Sequence, residues 1–315
     1  MLVNAIKIVS IMFFLLTLSG CFSEEKSLKV ATLQWIGYES IYQAEEFGWL
    51  DKNVKLVKGN IPSDSLRRIL SGEVDAATMT MEDVILARAK GVELIIVAVL
   101  DISAGADVVL SKKSILDVTQ LKGKRIGSEK SALASLILIK TLEKAGLQES
   151  DVTVLDLAPP EQLDAWKKDE VDVVITYEPY ASKLFEEKAN YILSSRELPE
   201  MIFDVLAVRT DRIEGREDGV KKFLEAHFKA LEYFRQHYKD VTYRIATREE
   251  ITPEDVSRAL GGVVLPSKSA NGNFFDEKSS LFKAAKELNE LMFEKGFITK
   301  KASLDNLLNP RFLKD

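Results

Sequence analysis

The sequence predicts an α/β protein with two lobes, and three observations support this prediction. Short apolar runs alternate with amphipathic stretches along most of the chain, which is typical of α/β proteins with largely parallel sheets. The 295 residues from 21 to 315 exceed the size at which a single hydrophobic core usually stops growing. The triplet Glu-Val-Asp occurs at residues 73–75 and again at 170–172, each time between a predicted helix and a predicted strand. Chance is the alternative for so short a repeat, but the shared context favours two lobes of similar plan.

The first twenty residues have the layout of a signal peptide. A single charge, Lys7, precedes an apolar run from residue 8 to residue 18. Eleven apolar residues are too few for a stable membrane-spanning helix, which needs about 20. We therefore predict a removable signal peptide over residues 1–20 and no permanent transmembrane anchor.

The segment Leu-Ser-Gly-Cys that ends this region resembles the bacterial lipobox, in which the cysteine is acylated and becomes the mature N-terminus. Cys21 is the only cysteine in the chain, so no intramolecular disulfide can form. A buried, inert thiol is the usual alternative for a lone cysteine. Its position directly after the signal core favours lipidation, and several acyl chains bind a membrane firmly. We predict that Cys21 carries the lipid anchor on the extracytoplasmic side of a membrane, with residues 21–27 as a polar tether.

The charge balance gives no sign of a nucleic-acid partner. The whole chain has 43 Lys and Arg residues against 49 Asp and Glu residues, a formal net charge of −6. Removal of the signal peptide takes away Lys7 and makes the mature chain more acidic still. A protein that binds nucleic acid through its phosphates needs an excess of basic residues.

From about Leu28 onward, strands and helices are expected to alternate, and the final third is expected to be almost wholly helical. Strands are predicted at 28–33, 54–57, 76–79, 94–100, 108–110, 125–127, 152–156, 171–176 and 205–208 from short runs rich in apolar residues. Helices are predicted at 63–70, 131–145, 219–238, 253–260 and 277–295 from caps and from apolar residues at helical spacing.

Six segments in this order and spacing resemble one family, the type II periplasmic binding proteins of nitrate, sulfonate, taurine and thiamine-precursor transporters. The segments are 35–39 (WIGYE), 71–77 (SGEVDAA), 101–107 (DISAGAD), 121–127 (LKGKRIG), 176–180 (TYEPY) and 204–206 (DVL). The resemblance implies a two-lobed fold with mixed, mostly parallel sheets and a hinge of two crossover strands. It places lobe 1 at 28–108 and 202–315 and lobe 2 at 109–201.

The same resemblance implies a function, which is capture of a small molecule in the cleft between the lobes and delivery to an ABC permease and its ATPase. Open α/β sheets bind ligands at the carboxyl ends of their strands, which agrees with this location. No cofactor and no metal are expected, and we expect the chain to act as a monomer. Ligand contacts to both lobes are expected to favour the closed state.

In lobe 1 the candidate ligand-binding residues follow the first and third strands. Trp35 and Tyr38 offer flat apolar walls that can stack on a ring or lie over a cation, and ordinary core packing is the alternative. Thr78 and Thr80 offer hydroxyl groups at a strand end, next to free backbone amides. Thr80 is also placed to cap the helix that follows, with Asp83 three residues on, and both roles are compatible.

Near the first crossover, Asp101 and Ser103 are candidates, followed by a turn of small residues that ends at Asp107. Asp101 is either a contact for a ligand amine or a hinge residue bonded to backbone amides. Asp107 is expected to serve the hinge.

In lobe 2 the resemblance assigns backbone amides and a hydroxyl group to the turn that contains Ser128 and Ser131. Glu129 and Lys130 stand there in place of the small residues that the family leads us to expect. The free amides at the start of the following helix favour a partial negative charge on the ligand.

Tyr177, Glu178 and Asp204 complete the candidate site and make it rich in carboxyl groups. None of the motifs assigned to the cleft contains an Arg that could bind a sulfonate or nitrate with two hydrogen bonds. We therefore predict an amine-bearing or heteroaromatic ligand, such as a thiamine precursor, with sulfonate, taurine or nitrate as alternatives. The alternative role for these carboxyl groups is helix capping at the surface.

Enzyme motifs are missing from the sequence. His227 and His237 are ten residues apart on one predicted helix and are not expected to share a site. No cysteine cluster, metalloprotease helix motif, nucleophile elbow or phosphate-binding glycine loop occurs. Similar two-lobed folds occur in enzymes of vitamin and menaquinone metabolism, so an enzyme remains one alternative and an envelope sensor that binds a partner protein another.

Overall fold

The computed structural model describes residues 26–314, so the predicted signal peptide and Cys21 lie outside the described residues. The described chain forms two β-sheets. The strands are β1 (Leu28–Leu33), β2 (Val54–Gly59), β3 (Ala76–Thr80), β4 (Leu94–Ser103), β5 (Asp107–Ser111), β6 (Arg125–Ser128), β7 (Thr153–Asp156), β8 (Val173–Tyr177), β9 (Asn190–Ser194), β10 (Phe203–Arg209) and β11 (Val263–Val264). Each strand predicted from the sequence is present, whereas β9 and the two-residue β11 were not predicted.

The five predicted helices are present, and six further helices lie between or after the strands of the described chain. Together the helices are α1 (Glu39–Glu46), α2 (Pro62–Ser71), α3 (Met81–Ala89), α4 (Ala132–Ala145), α5 (Pro159–Lys167), α6 (Tyr180–Glu186), α7 (Glu217–Gln236), α8 (Tyr238–Glu249), α9 (Pro253–Leu260), α10 (Lys268–Asn271) and α11 (Ser280–Glu294). The helix predicted at 219–238 ends at Gln236, because His237 leaves the helical conformation and separates α7 from α8.

The two sheets share one arrangement of strands. Their orders are β11-β4-β10-β3-β1-β2 and β7-β6-β8-β5-β9. In the six-stranded sheet, the parallel strands β2, β1 and β3 are followed by the antiparallel strand β10, which also pairs with β4. In the five-stranded sheet, the parallel strands β7, β6 and β8 are followed by the antiparallel strand β5, which also pairs with β9. The sheets are therefore mixed, and the expectation of mostly parallel pairing is wrong, since five of the nine pairings among the described strands are antiparallel. Antiparallel pairing arises because β5 and β10 each follow a crossover and enter the sheet in the opposite direction.

We call the part around the six-stranded sheet lobe 1 (residues 26–103 and 203–314) and the part around the five-stranded sheet lobe 2 (residues 107–194). The boundary expected between residues 108 and 109 falls inside β5, whose first residue, Asp107, pairs with Tyr177 of β8. The chain also joins lobe 1 earlier than Leu28, because the Lys26 amide donates a hydrogen bond of 3.0 Å to the Gly215 carbonyl.

The repeated Glu-Val-Asp triplet performs the same task in both lobes. The Asp75 carboxyl group accepts a 2.9 Å hydrogen bond from the Lys29 amide, at the start of β1. The Asp172 carboxyl group accepts a 2.8 Å bond from the Arg125 amide, at the start of β6. Each aspartate thus ties a helix-to-strand junction to the neighbouring parallel strand, and the prediction of two lobes with similar plans is confirmed.

Two crossovers connect the lobes and contact each other. The first is the turn after β4, and the second is the segment between β9 and β10. The Ser195 hydroxyl group lies 2.8 Å from the Ser103 hydroxyl group and accepts a 2.6 Å hydrogen bond from the Gly105 amide. The Ser103 amide also donates to the Ile202 carbonyl at 3.0 Å. These contacts form the expected hinge of two crossovers.

Helices cover both faces of each sheet. In lobe 1, α1, α7 and α8 pack on one face through Ile41, Phe223 and Ile245, and α2, α3 and α11 pack on the other through Ile69, Val84 and Leu288. The alternation of side chains along a strand produces both faces, since Val30 joins the first cluster and Ala31 joins the second. In lobe 2, α4 packs on one face, and α5 and α6 pack on the other.

No helix within residues 26–314 is both long enough and apolar enough to cross a membrane.

Candidate ligand-binding cleft

A cavity lies between the two lobes at the carboxyl ends of β1, β3 and β8. Its volume is about 30 Å³, enough for about two water molecules, whereas cavities that hold small organic ligands measure about 300–1,000 Å³. Both lobes contribute to the lining, so they must move apart before an organic molecule can enter. The lining residues are Leu33, Trp35, Tyr38, Pro62, Thr78, Met79, Thr80, Asp83, Asp107, Leu133, Tyr177 and Asp204.

Two buried aspartates lie at the lobe 1 side of the cavity. Asp101 and Asp204 are partners across β4 and β10, and each is almost completely excluded from solvent. The Trp35 indole nitrogen donates to both oxygens of the Asp101 carboxyl group, at 3.3 and 3.2 Å. The Tyr38 hydroxyl group donates to Oδ1 of Asp204. Both predicted aromatic residues thus orient a carboxyl group of the candidate site.

Burial, followed by the charge of Asp204, raises the pKa of Asp101 well above its ordinary range. Burial also raises the pKa of Asp204, against the opposing effect of the Tyr38 hydroxyl group. The two residues lie opposite each other in the strand pairing, so the charge of one carboxyl group acts on the other. A pair of this kind holds one proton between two acids, because two adjacent negative charges cannot both be stable in a buried site.

A close approach of the backbone at Gly37 makes this arrangement possible. A Cβ atom at this position would overlap the Asp101 carboxyl group and lie within 2.5 Å of the Trp35 indole nitrogen. Only glycine allows the short 3-10 turn Ile36–Tyr38 to pass over Asp101. The small residue between the two aromatic residues therefore sets the depth of the pocket.

Aromatic rings from both lobes meet above the aspartates. The Trp35 and Tyr177 rings are 5.7 Å apart at an interplanar angle of 83°, and the Tyr177 and Tyr180 rings are 6.2 Å apart at 82°. Edge-to-face pairs of this kind are attractive beyond the area that they bury. The Tyr177 hydroxyl group is buried without a hydrogen-bond partner in the described structure. It is therefore available to a ligand.

The two threonines differ in role. The Thr78 hydroxyl group lies in the cavity lining and donates a 3.2 Å hydrogen bond to Thr32 on the neighbouring strand β1. Thr80 caps α3, because its hydroxyl group accepts a 3.4 Å bond from the Asp83 amide. Thr80 lines the cavity as well, so the capping and lining roles coexist.

Two further carboxyl groups line the cavity, and the sequence interpretation assigned them other roles. Burial raises the pKa of Asp83 to about 7, with Glu129 and Asp204 adding to the effect. Burial raises the pKa of Asp107 to about 6. The Oδ2 atom of Asp107 is buried and has no hydrogen-bond partner among the described residues. Asp107 was expected to serve the hinge, and its amide donates a 3.4 Å hydrogen bond to the Ser103 hydroxyl group there, while Asp107 also lines the cavity.

The predicted serines of lobe 2 lie beside the cavity. Ser131 caps α4 by accepting a 3.2 Å hydrogen bond from the Ala134 amide. It lines a smaller adjoining cavity of about 20 Å³ together with Glu129 and Tyr177. The Ser128 hydroxyl group donates to the Glu129 carbonyl at 3.4 Å, and Ser128 lines a separate groove together with α4 and with Leu86 and Phe297 of lobe 1.

Asp101, Ser103 and Glu178 lie outside the cavity lining. Ser103 is committed to the crossover through its contact with Ser195. The Glu178 carboxyl group accepts a 3.0 Å hydrogen bond from the Ser182 amide in α6. Tyr177 and Glu178 are adjacent in the chain and point in different directions, so only Tyr177 lines the cavity. Tyr177 and Glu178 were both predicted to lie in the site, because the sequence does not show which of two adjacent residues faces the other lobe.

Among the described residues that line the cavity, none carries a basic side chain. The residues 26–314 also contain no group of three or more His, Cys, Asp or Glu residues that could hold a metal ion. His227 and His237 do not meet, since His227 is buried against the Ser40 hydroxyl group at 2.7 Å and His237 is exposed. The cleft thus offers hydrogen-bond acceptors and aromatic faces to a ligand.

The chain matches one protein-family model over residues 36–240, a range that includes most of the cavity lining. That model is described as NMT1/THI5 like. The chain belongs to the NMT1/THI5-like family. The resemblance inferred from the six sequence segments agrees with this membership.

Two binding proteins are similar to this NMT1/THI5-like chain. A putative aliphatic sulfonates-binding protein of Bacillus subtilis (strain 168) is 24% identical over 306 residues, covering 94% of this chain and 90% of that protein. The solved structure of the alkanesulfonate-binding protein SsuA from Xanthomonas axonopodis pv. citri, bound to MOPS, superimposes with a TM-score of 0.73. Its identity is 19%, with 90% of this chain and 98% of that chain covered. The expected periplasmic-binding-protein fold is confirmed.

The same fold also occurs in an enzyme. The desulfurization enzyme DszB superimposes with a TM-score of 0.67 at 16% identity, covering 91% of this chain and 97% of that chain. At this level of identity the similarity concerns the fold alone. Function in the NMT1/THI5-like family must therefore be argued from the site.

Sequence reasoning missed several lining residues of this NMT1/THI5-like chain. Leu33 and Met79 end predicted strands and Leu133 lies in the first turn of a predicted helix, so a search of strand ends and helix starts would have found all three. Pro62 gave a weaker signal as the first residue of α2. Glu129 was noted only as a departure from the family pattern.

Proposed function

We propose that this protein is the lipid-anchored, extracytoplasmic solute-binding component of an ABC importer. In this proposal the cleft captures a small organic ligand that bears an amine or a heteroaromatic ring. One observation carries the proposal: a cavity enclosed between two hinged lobes is lined by aromatic rings and carboxyl groups, with no basic side chain among its lining residues.

The mechanism is capture by closure. A ligand that contacts Trp35 and Asp204 from lobe 1 and Tyr177 and Asp107 from lobe 2 binds the closed form better than the open form. A ligand shifts such an equilibrium only by its difference in affinity for the two forms. The unpartnered atoms Asp107 Oδ2 and Tyr177 Oη are available for contacts that only a closed cleft completes.

The ligand class follows from the charges of the lining. The carboxyl groups of Asp83, Asp107 and Asp204, together with Asp101 behind them, favour a group that donates hydrogen bonds or carries positive charge. When a protonated amine binds at the Asp101–Asp204 pair, the shared proton passes to solvent and the ammonium group takes the place of that proton. Ring faces of Trp35 and Tyr177 suit an apolar or heteroaromatic body.

The relatives named above bind aliphatic sulfonates and an alkanesulfonate, so they give no support to a thiamine precursor as the ligand. A sulfonate needs cationic or multiple N–H donors, and the cavity lining contributes none from a basic side chain. A sulfonate that also carries an amine, such as taurine, resembles the ligands named for the relatives and also offers a positive group to the carboxyl-rich lining. It is the second ligand class to test.

The partners follow from the role. An ABC permease and its ATPase receive the ligand, and Cys21 carries the lipid that holds the protein at the membrane surface. Acylation of Cys21 restricts the protein to the vicinity of the permease and thereby raises their effective concentration.

Thermal unfolding of the purified protein against amines, pyrimidines, sulfonates, nitrate and carboxylates tests the proposal. A ligand that binds the folded state alone adds about 2.7 kcal/mol of stability at a hundredfold excess over its dissociation constant. We expect a shift with an amine or an aminopyrimidine and none with nitrate. A shift confined to nitrate or simple sulfonates would reject the ligand class, and turnover of the bound compound would reject the binding role.

A further inference from the structure

Glu129 brings a carboxyl group of lobe 2 to the surface of lobe 1. It follows β6 and precedes Ser131, the cap of α4. Its side chain lines the smaller cavity of about 20 Å³ together with Pro62 of lobe 1, and Asp107 and Tyr177 line both this cavity and the central one. Glu129 is only 7% exposed. It therefore lies inside the cleft, beside the candidate ligand site.

The nearest feature of lobe 1 is the N-terminus of α2, a helix of ten residues. Its N-cap residue, Ile61, has no side chain that can cap the helix, and Pro62 has no amide hydrogen. The Asp64 amide is already bonded to the Ile61 carbonyl at 3.0 Å. The Ser63 amide is therefore the first free donor of this helix, and the Glu129 carboxyl group lies beside this helix start, because Glu129 and Pro62 line the same cavity.

The N-terminus of a helix attracts negative charge, because its free amides and its dipole both point toward a ligand. In this protein a carboxyl group of the opposite lobe fills that position. The second carboxyl oxygen of Glu129, Oε1, is buried and has no hydrogen-bond partner among the described residues. Asp64 and Asp156 add further negative charge nearby.

We propose that Glu129 is a specificity-determining residue that occupies the anion-binding position of α2 and excludes anionic ligands from the cleft. The inference rests on the proposed function, since it concerns the choice among ligands of the same site. A sulfonate that entered the closed cleft would have to displace the Glu129 carboxyl group from the N-terminus of α2. The negative charge of the sulfonate would also be repelled by the nearby carboxyl group of Glu129.

Two substitutions separate charge from hydrogen bonding. Glu129→Gln keeps an oxygen that can accept from the Ser63 amide and removes the negative charge. Glu129→Ser removes both and opens space beside α2. Glu170→Gln is the matched control, because it makes the same charge change at an exposed residue of lobe 2, before β8 and remote from Tyr177 at the other end of that strand.

Burial raises the pKa of Glu129 to about 7, so calorimetric titration at pH 8 with ethanesulfonate and, separately, with benzylamine provides the test. We expect both Glu129 variants to bind ethanesulfonate at least about tenfold more tightly than the unmodified protein and the Glu170→Gln control. Benzylamine should bind the unmodified protein and the control equally. Thermal unfolding of each variant verifies that it is folded, and the conservative Glu129→Gln variant provides the result if Glu129→Ser does not fold.

The outcomes distinguish the two proposals. Binding of benzylamine to the unmodified protein, without any gain for ethanesulfonate in the variants, overturns the role of Glu129 and leaves the proposed function standing. Equal binding of ethanesulfonate to the unmodified protein and to both variants also overturns it. Folded proteins that bind neither probe reject this inference and the amine ligand class together.

Discussion

Asp101 and Asp204 lie directly opposite each other on neighbouring antiparallel strands, and both are buried, with Asp204 in the lining of the interlobe cavity. Each is held by an aromatic residue from the segment after β1, Asp101 by Trp35 and Asp204 by Tyr38. Like-charged groups opposite each other destabilise a sheet unless they share a proton or bind a cation. A proton held between the two carboxyl groups therefore reduces their repulsion in the folded protein.

The Asp204→Asn substitution is expected to weaken the binding of benzylamine at least about tenfold, because a hydrogen bond to a charged group contributes about 1.5–3 kcal/mol. The asparagine still accepts the hydrogen bond from Tyr38, so the fold should persist. Isothermal titration calorimetry measures the effect. Asp211→Asn is the control, because Asp211 lies in the same lobe and is exposed. If the Asp204→Asn variant and the unmodified protein bind benzylamine with equal affinity, the ammonium group of benzylamine does not bind at Asp204.

Stability is expected to fall as pH rises from 6.5 to 8.5. Burial raises the pKa of Asp83 to about 7 and that of Glu82 to about 8. The folded protein therefore holds protons that the unfolded chain releases near pH 4, and their contribution to stability is lost as the pH passes these raised values. Each such proton changes the free energy of unfolding by about 1.4 kcal/mol per pH unit.

The pH range from 6.5 to 8.5 avoids the opposing effect of His227 on stability. Burial lowers the pKa of His227 to about 3, so its contribution to stability grows as pH rises and is complete above the ordinary histidine value of about 6.5. Urea unfolding at pH 6.5 and 8.5 measures the slope. Asp83→Asn should reduce it, and a protein equally stable at both values would contradict the proposed protonation of these carboxyl groups.

Gly37→Ala is expected to destabilise the protein by about 1–3 kcal/mol, because overpacking at a filled site forces neighbouring groups to shift. The added Cβ overlaps the Asp101 carboxyl group and displaces the Trp35 ring that holds it. Gly272→Ala is the control, since its added Cβ has no atom within 4 Å. The urea midpoints of the two variants give the comparison, and similar midpoints would show that the turn after β1 has more room than the structure indicates.

Arg258→Ala is expected to favour the open form. Arg258 belongs to α9 of lobe 1 and donates a 2.7 Å hydrogen bond to the Ser182 hydroxyl group of lobe 2. It also lies 5.1 Å from the centre of the Phe185 ring. Contacts of partly exposed groups contribute less than about 1 kcal/mol, so the open fraction should rise up to about fivefold.

Small-angle X-ray scattering measures this change as a larger radius of gyration. Arg235→Ala serves as the control, because Arg235 lies in α7 of lobe 1 and pairs with Glu232 on the same helix. A radius of gyration that stays the same after both substitutions would show that the crossovers alone determine closure.

Cys21→Ser is expected to release the protein from membranes into the soluble fraction. Acylation requires the thiol, and the chain has no second cysteine. Fractionation of cells that express each form, followed by immunodetection, gives the distribution. Full retention of the Cys21→Ser form in the membrane fraction would mean that another segment anchors the protein.

The strands and the aromatic pair of the cleft could be predicted because they depend on local patterns. Runs of apolar residues with the spacing of a strand located β1, β3 and β4, and the segment 35–39 placed Trp35 and Tyr38 after β1. The helix caps at Thr80 and Ser131 could also be predicted, because a hydroxyl group just before a helix accepts a hydrogen bond from a free backbone amide of its first turn, whatever the tertiary structure.

The sequence by itself determined that the chain is an α/β protein with two lobes of similar plan, because the periods of strands and helices and the repeated Glu-Val-Asp triplet are local properties. Only the tertiary structure decided which carboxyl groups face the cavity. Asp83, Asp107 and Glu129 come from separate segments, and their proximity depends on how one lobe closes over the other. No local pattern encodes that orientation, since it follows from the packing of the two crossovers against each other.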